Sequence, residues 1–276
     1  MLLPADTPIG IIAGGGVLPK IVYDRCRDGG LDPHIVALKG HADDAALLAE
    51  AGLTARPEKL GRMFKYLRKQ KIRELVLIGR VRRPSLPELR PDWKTVSLLP
   101  KIAPVLRGGG DDALLRTIRK VLEGEGFRLH GVQDFIHDMT APEGVMGQFA
   151  PDDAQMADIA RGMDAARAIG ALDIGQSVVV QQGVVLGVEG VEGTDALIAR
   201  CARLARSGPA PVLCKSVKPD QDRQLDLPTV GPDTLKNCID AGFAGVAVSA
   251  GSTLMVELGT LVEQANNKSI FLYGAA

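Results

Sequence analysis

Six charged side chains, Lys215, Lys218, Asp220, Asp222, Arg223 and Asp226, fall within twelve residues of the chain. In an extended segment, side chains alternate between two faces. Asp220, Asp222, Gln224 and Asp226 then share one face, and Gln221 and Arg223 the other. Alternate residues lie about 6.5–7 Å apart. Two like charges at that distance repel by roughly 0.6 kcal/mol in water and about 2.5 kcal/mol at an effective dielectric near 20. Such a row is tolerated in solvent, but in a cleft it needs a metal ion, a bound proton or the facing cations. Divalent metal with phosphate suits the mixture, because Mg²⁺ takes one or two carboxylates and substrate oxygens while Lys and Arg hold the remaining phosphate charge. The alternative is a solvated polar loop. A calcium loop starting at Asp220 is excluded: Leu225 fills the position that must be Gly, and Gly231 the one that should be Glu.

Other segments offer phosphate seats. Gly14-Gly15-Gly16 follows a short apolar run and precedes a helical pattern, where backbone N–H groups and a helix N-terminus attract anions. It is not a full dinucleotide fingerprint. Pro19 holds the third glycine position, and the next strand ends at Leu38-Lys39 with no acid for a ribose. The loop is a nucleotide or phosphate seat, or a tight turn. Gly108-Gly109-Gly110-Asp111-Asp112 reads equally as a phosphate loop or as a linker whose acids serve as N-cap and first turn of the next helix. Arg80, Arg82 and Arg83 crowd the end of a strand, the place where open α/β sheets bind ligands. Glu192-Gly193-Thr194-Asp195 reads first as a helix cap, with a hydroxyl and amides that also suit a sugar or phosphate. His34, His41, His130 and His137 lack metal-ligand spacing, and neither a Gly-x-Ser-x-Gly elbow nor a P-loop lysine is present.

The elements that must position these residues follow from patterning. Pro8–Ala13, His34–Leu38 and Glu74–Gly79 read as strands. Leu18–Asp28, Leu60–Gln70, Leu98–Leu106 and Asp111–Leu122 read as helices. This alternation predicts a parallel sheet with right-handed crossovers. A turn-rich break at Met139–Gly144 places a domain boundary near residue 135, giving domains of 1–135 and 136–276. In the second, a helix at Pro151–Ile169 precedes Val-rich runs Ser177–Gln181 and Val184–Val188, joined as a hairpin by Gln182-Gly183. A helix capped by Thr194-Asp195 and reaching Ala205 comes next. It is followed by a strand at Val212-Leu213, a helix from Pro232 to Ile239, a strand at Gly245–Val248, a helix at Val256–Ala265 and a strand at Ile270–Tyr273. The fold class is α/β: a Rossmann-like parallel-sheet N-terminal domain plus a second α/β domain containing a hairpin.

Composition bounds the function. The chain has 276 residues, 46% hydrophobic and 24% charged, with 4% aromatic, so its core is mainly Val, Leu, Ile and Ala. Zero formal net charge argues against bulk nucleic-acid binding. The cysteines, Cys26, Cys201, Cys214 and Cys238, are too dispersed for a structural zinc site. Met1–Gly10 lacks signal-peptide character and no apolar run approaches a bilayer span of about 20 residues, so a cytoplasmic location is expected.

Taken in order, several short strings resemble one family. They are Ile12-Ala13-Gly14-Gly15-Gly16-x-Leu18-Pro19, Gly79-x-Val81-x-Arg83-Pro84, Gly110-Asp111-Asp112-x-Leu114-Leu115-Arg116 and Met139-Thr140-x-Pro142-x-Gly144. Asp173-Ile174-Gly175-Gln176, Glu192-Gly193-Thr194-Asp195, Lys218-Pro219-x-Gln221-Asp222-Arg223 and Asp226-x-Pro228-Thr229-x-Gly231 follow. The pattern is similar to that of bacterial UDP-2,3-diacylglucosamine pyrophosphatases of the LpxI type, over nearly the whole chain. The resemblance implies two α/β domains with the active site between them and Mg²⁺-dependent hydrolysis (Mn²⁺ as a substitute) to UMP and 2,3-diacylglucosamine 1-phosphate. It also implies a cytoplasmic homodimer peripheral to the inner membrane. Asp226 and Asp222 become the catalytic and metal-binding candidates. Gly14, Gly15, Gly16, Arg83, Asp111, Asp112, Thr140, Gln176, Thr194, Asp195, Lys215, Lys218, Gln221, Arg223 and Thr229 become the substrate-binding ones. A nucleotide-dependent oxidoreductase using the glycine loop and a non-catalytic nucleotide-sugar sensor are the rival readings. Met156, Met163 and the stretch from Ala165 to Ala171 would line an acyl pocket or simply pack a helix.

Overall fold

The computed structural model describes residues 3–82, 89–108, 110–219 and 227–276, with Asp111 described in its backbone only. The chain divides into two compact units, one running to His137 and the other starting at Asp138.

The first unit is a parallel α/β fold. Strands β1 (Pro8–Ala13), β2 (Asp32–Leu38), β3 (Ala51–Ala55), β4 (Glu74–Ile78) and β5 (Arg128–His130) form one sheet. Their order is β3-β2-β1-β4-β5, with every pairing parallel. Helices α1 (Leu18–Asp28), α2 (Ala45–Ala49), α3 (Leu60–Lys69), α4 (Trp93–Gly108), α5 (Asp111–Gly124) and α6 (Gln133–Ile136) make the connections. Met63, Phe64 and Leu67 of α3, Leu98 of α4 and Val121 and Leu122 of α5 share one core with Val36 and Leu75 of the sheet. On α1, Pro19, Val22, Tyr23 and Cys26 are buried. The strand order reverses between β1 and β4, the position where open α/β sheets place ligands.

The second unit has a six-stranded mixed sheet and a two-stranded one. Strands β6 (Gly144–Val145), β7 (Ser177–Gln181), β8 (Val184–Val188), β9 (Val212–Lys215), β11 (Gly245–Ser249) and β13 (Phe271–Ala275) stand in the order β6-β13-β11-β9-β7-β8. The central three are parallel, whereas β6, β7 and β8 pair antiparallel. Short strands β10 (Thr229–Val230) and β12 (Leu254–Met255) pair in parallel. The period of two divides the buried residues between two faces. Val178, Val180, Val212, Cys214, Ala247 and Phe271 face helix α7 (Asp153–Ala171), meeting Ile159, Met163 and Ala166. Val179, Leu213, Val246, Val248 and Leu272 face the helices α8 (Gly193–Ala202), α9 (Pro232–Asp240) and α10 (Leu258–Asn267). The hairpin forms as expected: Gln182 and Gly183 both have positive φ, the geometry of a type I′ turn. The buried Asp158 carboxylate accepts their two N–H groups at 2.8 and 2.6 Å.

Some local expectations need correction. Helix α4 begins at Trp93 rather than Leu98, because Asp92 accepts the Thr95 N–H at 2.9 Å and its hydroxyl at 2.8 Å. It runs on through Pro100 and Pro104. The N-cap of α5 is Gly110, so Asp111 and Asp112 lie in its first turn, where their charge favours the helix dipole. The N-cap of α8 is Glu192, without a side-chain cap bond, so Thr194 and Asp195 do not cap it. Helix α10 starts at Leu258, since Glu257 adopts a left-handed φ of 56°. Elements β3, β5, α2 and α6 are too short to stand out by period.

Candidate functional site

In the second unit a polar network gathers where β9 ends. Residue 215 alternates with Leu213, so the Lys215 side chain rises on the face that α8 covers. Lys215 is paired in register with Ser177 at the start of β7. The first turn of α8 brings Thr194 over both. Its Oγ1 accepts from Lys215 Nζ at 3.2 Å, lies 3.2 Å from Ser177 Oγ and donates to Glu189 Oε1 at 2.7 Å. The other carboxylate oxygen, Glu189 Oε2, accepts the Gln176 N–H at 3.1 Å. Ser177, Glu189 and Lys215 are 0%, 7% and 6% exposed. An ion pair taken out of water this far is retained only with its hydrogen bonds satisfied, and here a threonine hydroxyl bridges the two charges. Gln176 Oε1 is buried with no partner among the described residues, an acceptor that a ligand donor would satisfy.

On the other face of β9, Ser216 Oγ lies 3.2 Å from Ser249 Oγ at the end of β11, and the Val217 N–H donates to Ser249 Oγ at 3.3 Å. Lys218 Nζ is 2.5 Å from Asp173 Oδ1. Its stem packs against Gly170, where an added Cβ would lie 3.2 Å from it. Thus β9 delivers one cation to each side of the sheet edge as the chain enters the acidic segment. Thr140 and Thr229 both flank Leu254, one by an antiparallel bridge and the other in parallel register. Asp195 Oδ1 accepts from Asn237 Nδ2 at 3.0 Å.

In the first unit the glycine loop is held shut by its own neighbours. Gly14 N–H donates to the Ile78 carbonyl at 2.8 Å, and Gly15 and Arg80 exchange both backbone bonds at 2.9 Å. Gly14 and Gly79 touch so closely that a Cβ on Gly14 would lie 2.6 Å from the Arg80 carbonyl oxygen. The Gly16 N–H donates to Asp43 Oδ1 at 2.8 Å, and Arg82 N–H donates to His41 Nδ1 at 3.2 Å. Asp112, 8% exposed, pairs with Arg116 at 2.7 Å.

The two halves match two family descriptions in the same order. Residues 8–139 match the LpxI N-terminal domain and residues 142–273 the LpxI C-terminal domain. The chain is 38% identical over 272 residues to the UDP-2,3-diacylglucosamine pyrophosphatase LpxI of Caulobacter vibrioides, covering 96% of each. The chain belongs to the LpxI family. As an LpxI-type chain it brings Gln176, Thr194 and Lys215 into one network, and adds Glu189 and Ser177, which sequence reasoning missed. Neither had a motif signal beyond lying beside Gln176 and Thr194. Lys218, Thr140, Thr229 and Asp195 sit at separate places in the same unit. Asp43 was also missed, for want of any local pattern. The remaining expectations for this LpxI-type chain, Arg83, the Asp111 side chain, Gln221, Asp222, Arg223 and Asp226, lie outside the described residues.

Among the described residues no group of three His, Cys, Asp or Glu side chains could hold a metal ion. Both oxygens of Glu189 are engaged and Asp173 is paired with Lys218; the carboxylates expected to hold a metal, Asp222 and Asp226, lie outside the described residues. The four cysteines are buried. Burial, with a smaller contribution from Asp158, pushes the Cys214 thiol up to about 12, and burial alone does the same for Cys26. These thiols stay protonated and do not serve as nucleophiles. Met163 packs against Ile159, Val212 and Phe271 in the core, in line with the helix-packing alternative.

Proposed function

We propose that this chain hydrolyses the pyrophosphate bond of UDP-2,3-diacylglucosamine, releasing UMP and 2,3-diacylglucosamine 1-phosphate for lipid A synthesis. The observation that carries this reading is the 38% identity across 96% of the Caulobacter vibrioides pyrophosphatase. The geometry of β9 supports it. A buried ammonium, Lys215, stands at the carboxyl end of a central parallel strand, one hydroxyl away from Glu189. A fixed cation in a poorly hydrated place is suited to pyrophosphate oxygens and to charge that grows on a leaving phosphate. The chain then runs through Lys218 into Asp220, Asp222, Arg223 and Asp226.

In this reading Asp226 orients the attacking water as a base or holds a metal, and Asp222 is its partner. Magnesium belongs to the proposal through that carboxylate row alone, and no step is derived through it. Lys218 and Arg223 share the neutralisation of phosphate, Gln176 binds near Lys215 through its Oε1, unpartnered among the described residues, and Thr194 holds that lysine. Among the described residues no helix is long and apolar enough to cross a membrane. As the family resemblance implies, the proposal includes a homodimer that meets the cytoplasmic face of the inner membrane peripherally to reach its lipid-linked substrate.

Incubation of the purified chain with UDP-2,3-diacylglucosamine and Mg²⁺ tests the reading. Release of UMP with the sugar 1-phosphate is expected. Tight binding without turnover would instead mark a sensor, and a cofactor absorbance change a redox enzyme.

A further inference from the structure

Three hydrogen bonds converge on one threonine oxygen, and its proton count fixes their direction. A hydroxyl has one hydrogen to give and two lone pairs to fill. Thr194 gives its hydrogen to Glu189 Oε1, the shortest of the three contacts at 2.7 Å, because a carboxylate can only accept. Its two lone pairs are left for Lys215 Nζ and Ser177 Oγ, each at 3.2 Å. Ser177 must then be the donor toward Thr194. Glu189 cannot swing away to release the hydroxyl, since its second oxygen is tied to the Gln176 N–H and its own N–H donates to the Ser177 carbonyl at 2.8 Å. The carboxylate is 7% exposed, so water does not substitute for these partners.

We infer that Glu189 is a positioning residue for this reaction: it polarises and orients the Thr194 hydroxyl so that the oxygen holds the Lys215 ammonium in one place at the end of β9. The ammonium has three donors, and Thr194 takes one of them. Glu189 touches no substrate in this role. The inference rests on the pyrophosphatase reading for its kinetic consequence, but the orientation of Lys215 itself can be observed without turnover.

Steady-state kinetics with UDP-2,3-diacylglucosamine on Glu189→Gln, Thr194→Val, Thr194→Ser and Lys215→Ala, and on Glu189→Gln combined with Lys215→Ala, tests it. Glu189→Gln and Thr194→Val are expected to lower kcat about tenfold or more, with KM changed little. Thr194→Ser, which keeps the hydroxyl, is expected to restore most of kcat. Adding Glu189→Gln to Lys215→Ala is expected to cause little further loss, since the residue acts through the ammonium. Full kcat in folded Glu189→Gln, or an undiminished loss in the Lys215→Ala background, would overturn the inference. Should Glu189→Gln fail to fold, the Thr194→Val and Thr194→Ser pair decides: equal rates in both sink it.

Lysine-selective ¹⁵N NMR of the whole chain provides the readout that does not need activity. An ammonium signal missing in Lys215→Ala should be protected from exchange in the unsubstituted chain, lost or shifted in Thr194→Val and Glu189→Gln, and recovered in Thr194→Ser. A Lys215 signal indifferent to those substitutions overturns the inference even if UMP is released. A responsive signal in a protein that releases no UMP upholds the positioning and sinks the pyrophosphatase reading.

Discussion

The backbone N–H of Gly16 donates to the carboxylate of Asp43 at 2.8 Å, so a side chain 27 residues away occupies the anion seat that the glycine loop makes at the N-terminus of α1. A carboxylate there gains from the helix dipole but repels an incoming phosphate. Asp43→Asn keeps an acceptor for Gly16 and removes the charge. If a substrate phosphate approaches this loop, affinity for UDP at low ionic strength should rise by about two- to fivefold, the size of a typical helix-terminus charge effect. Calorimetric titration of the whole chain measures it, and unchanged affinity would place the phosphates elsewhere.

Asp226→Ala should lower turnover by about 10²–10⁴-fold, the usual loss when a positioned base is removed. Substrate affinity and melting temperature should stay near those of the unsubstituted chain. Near-normal turnover, or loss of activity accompanied by unfolding, counts against Asp226 as the residue that acts on the scissile phosphate.

Chelation should abolish hydrolysis and Mg²⁺ or Mn²⁺ should restore it, because the carboxylates of the 220–226 run would otherwise face a charged pyrophosphate unshielded. The check is a UMP-release assay in excess chelator, followed by metal addition. Full activity in the chelator would refute metal dependence.

Acid should selectively erase one stabilising contact in the first unit. Glu74, 3% exposed, is raised by burial, but bonds from Arg128 and from His130 at 2.7 Å outweigh this and hold its carboxyl below the ordinary 4.5. A depressed folded value means that its stabilisation is present above the unfolded value and fades as pH falls through the folded one. Melting temperatures of the unsubstituted chain and Glu74→Gln should therefore differ clearly near neutrality and converge as pH falls below 4.5 and through the depressed folded value. A gap that persists into acid would contradict this.

Helix α7 crosses its sheet at Gly162, where a Cβ would lie 2.4 Å from Cys214 Sγ and 3.1 Å from Val180 Cγ2. Alanine is the better helix former by about 1 kcal/mol. Overpacking a closed core costs about 1–3 kcal/mol, so Gly162→Ala should destabilise in spite of propensity. Denaturant unfolding gives the sign, and a more stable variant would mean that α7 yields easily.

Sequence by itself determined most strands of both sheets, but not β3, β5 or β6, because runs such as Ile9 to Ala13 and Val178 to Val180 are apolar at a spacing that burial explains. It determined the hairpin, since Gln182-Gly183 accepts the positive φ values that the turn needs. It also marked Thr194 and Gln176 through their place in ordered motifs, and Lys215 through the charged run that it opens. Tertiary structure decided what these residues do together. Glu189, Ser177 and Lys215 are far apart along the chain and carry no shared pattern. They meet because β9 pairs antiparallel with β7, while α8 folds back over the same face. Likewise, the glycine loop looked open to phosphate until Asp43 was seen to fill it. Period and turn chemistry act over a few residues and can be read from a string. Hydrogen-bond partners are chosen by proximity in space, and a buried carboxylate takes whatever donors the folded chain presents.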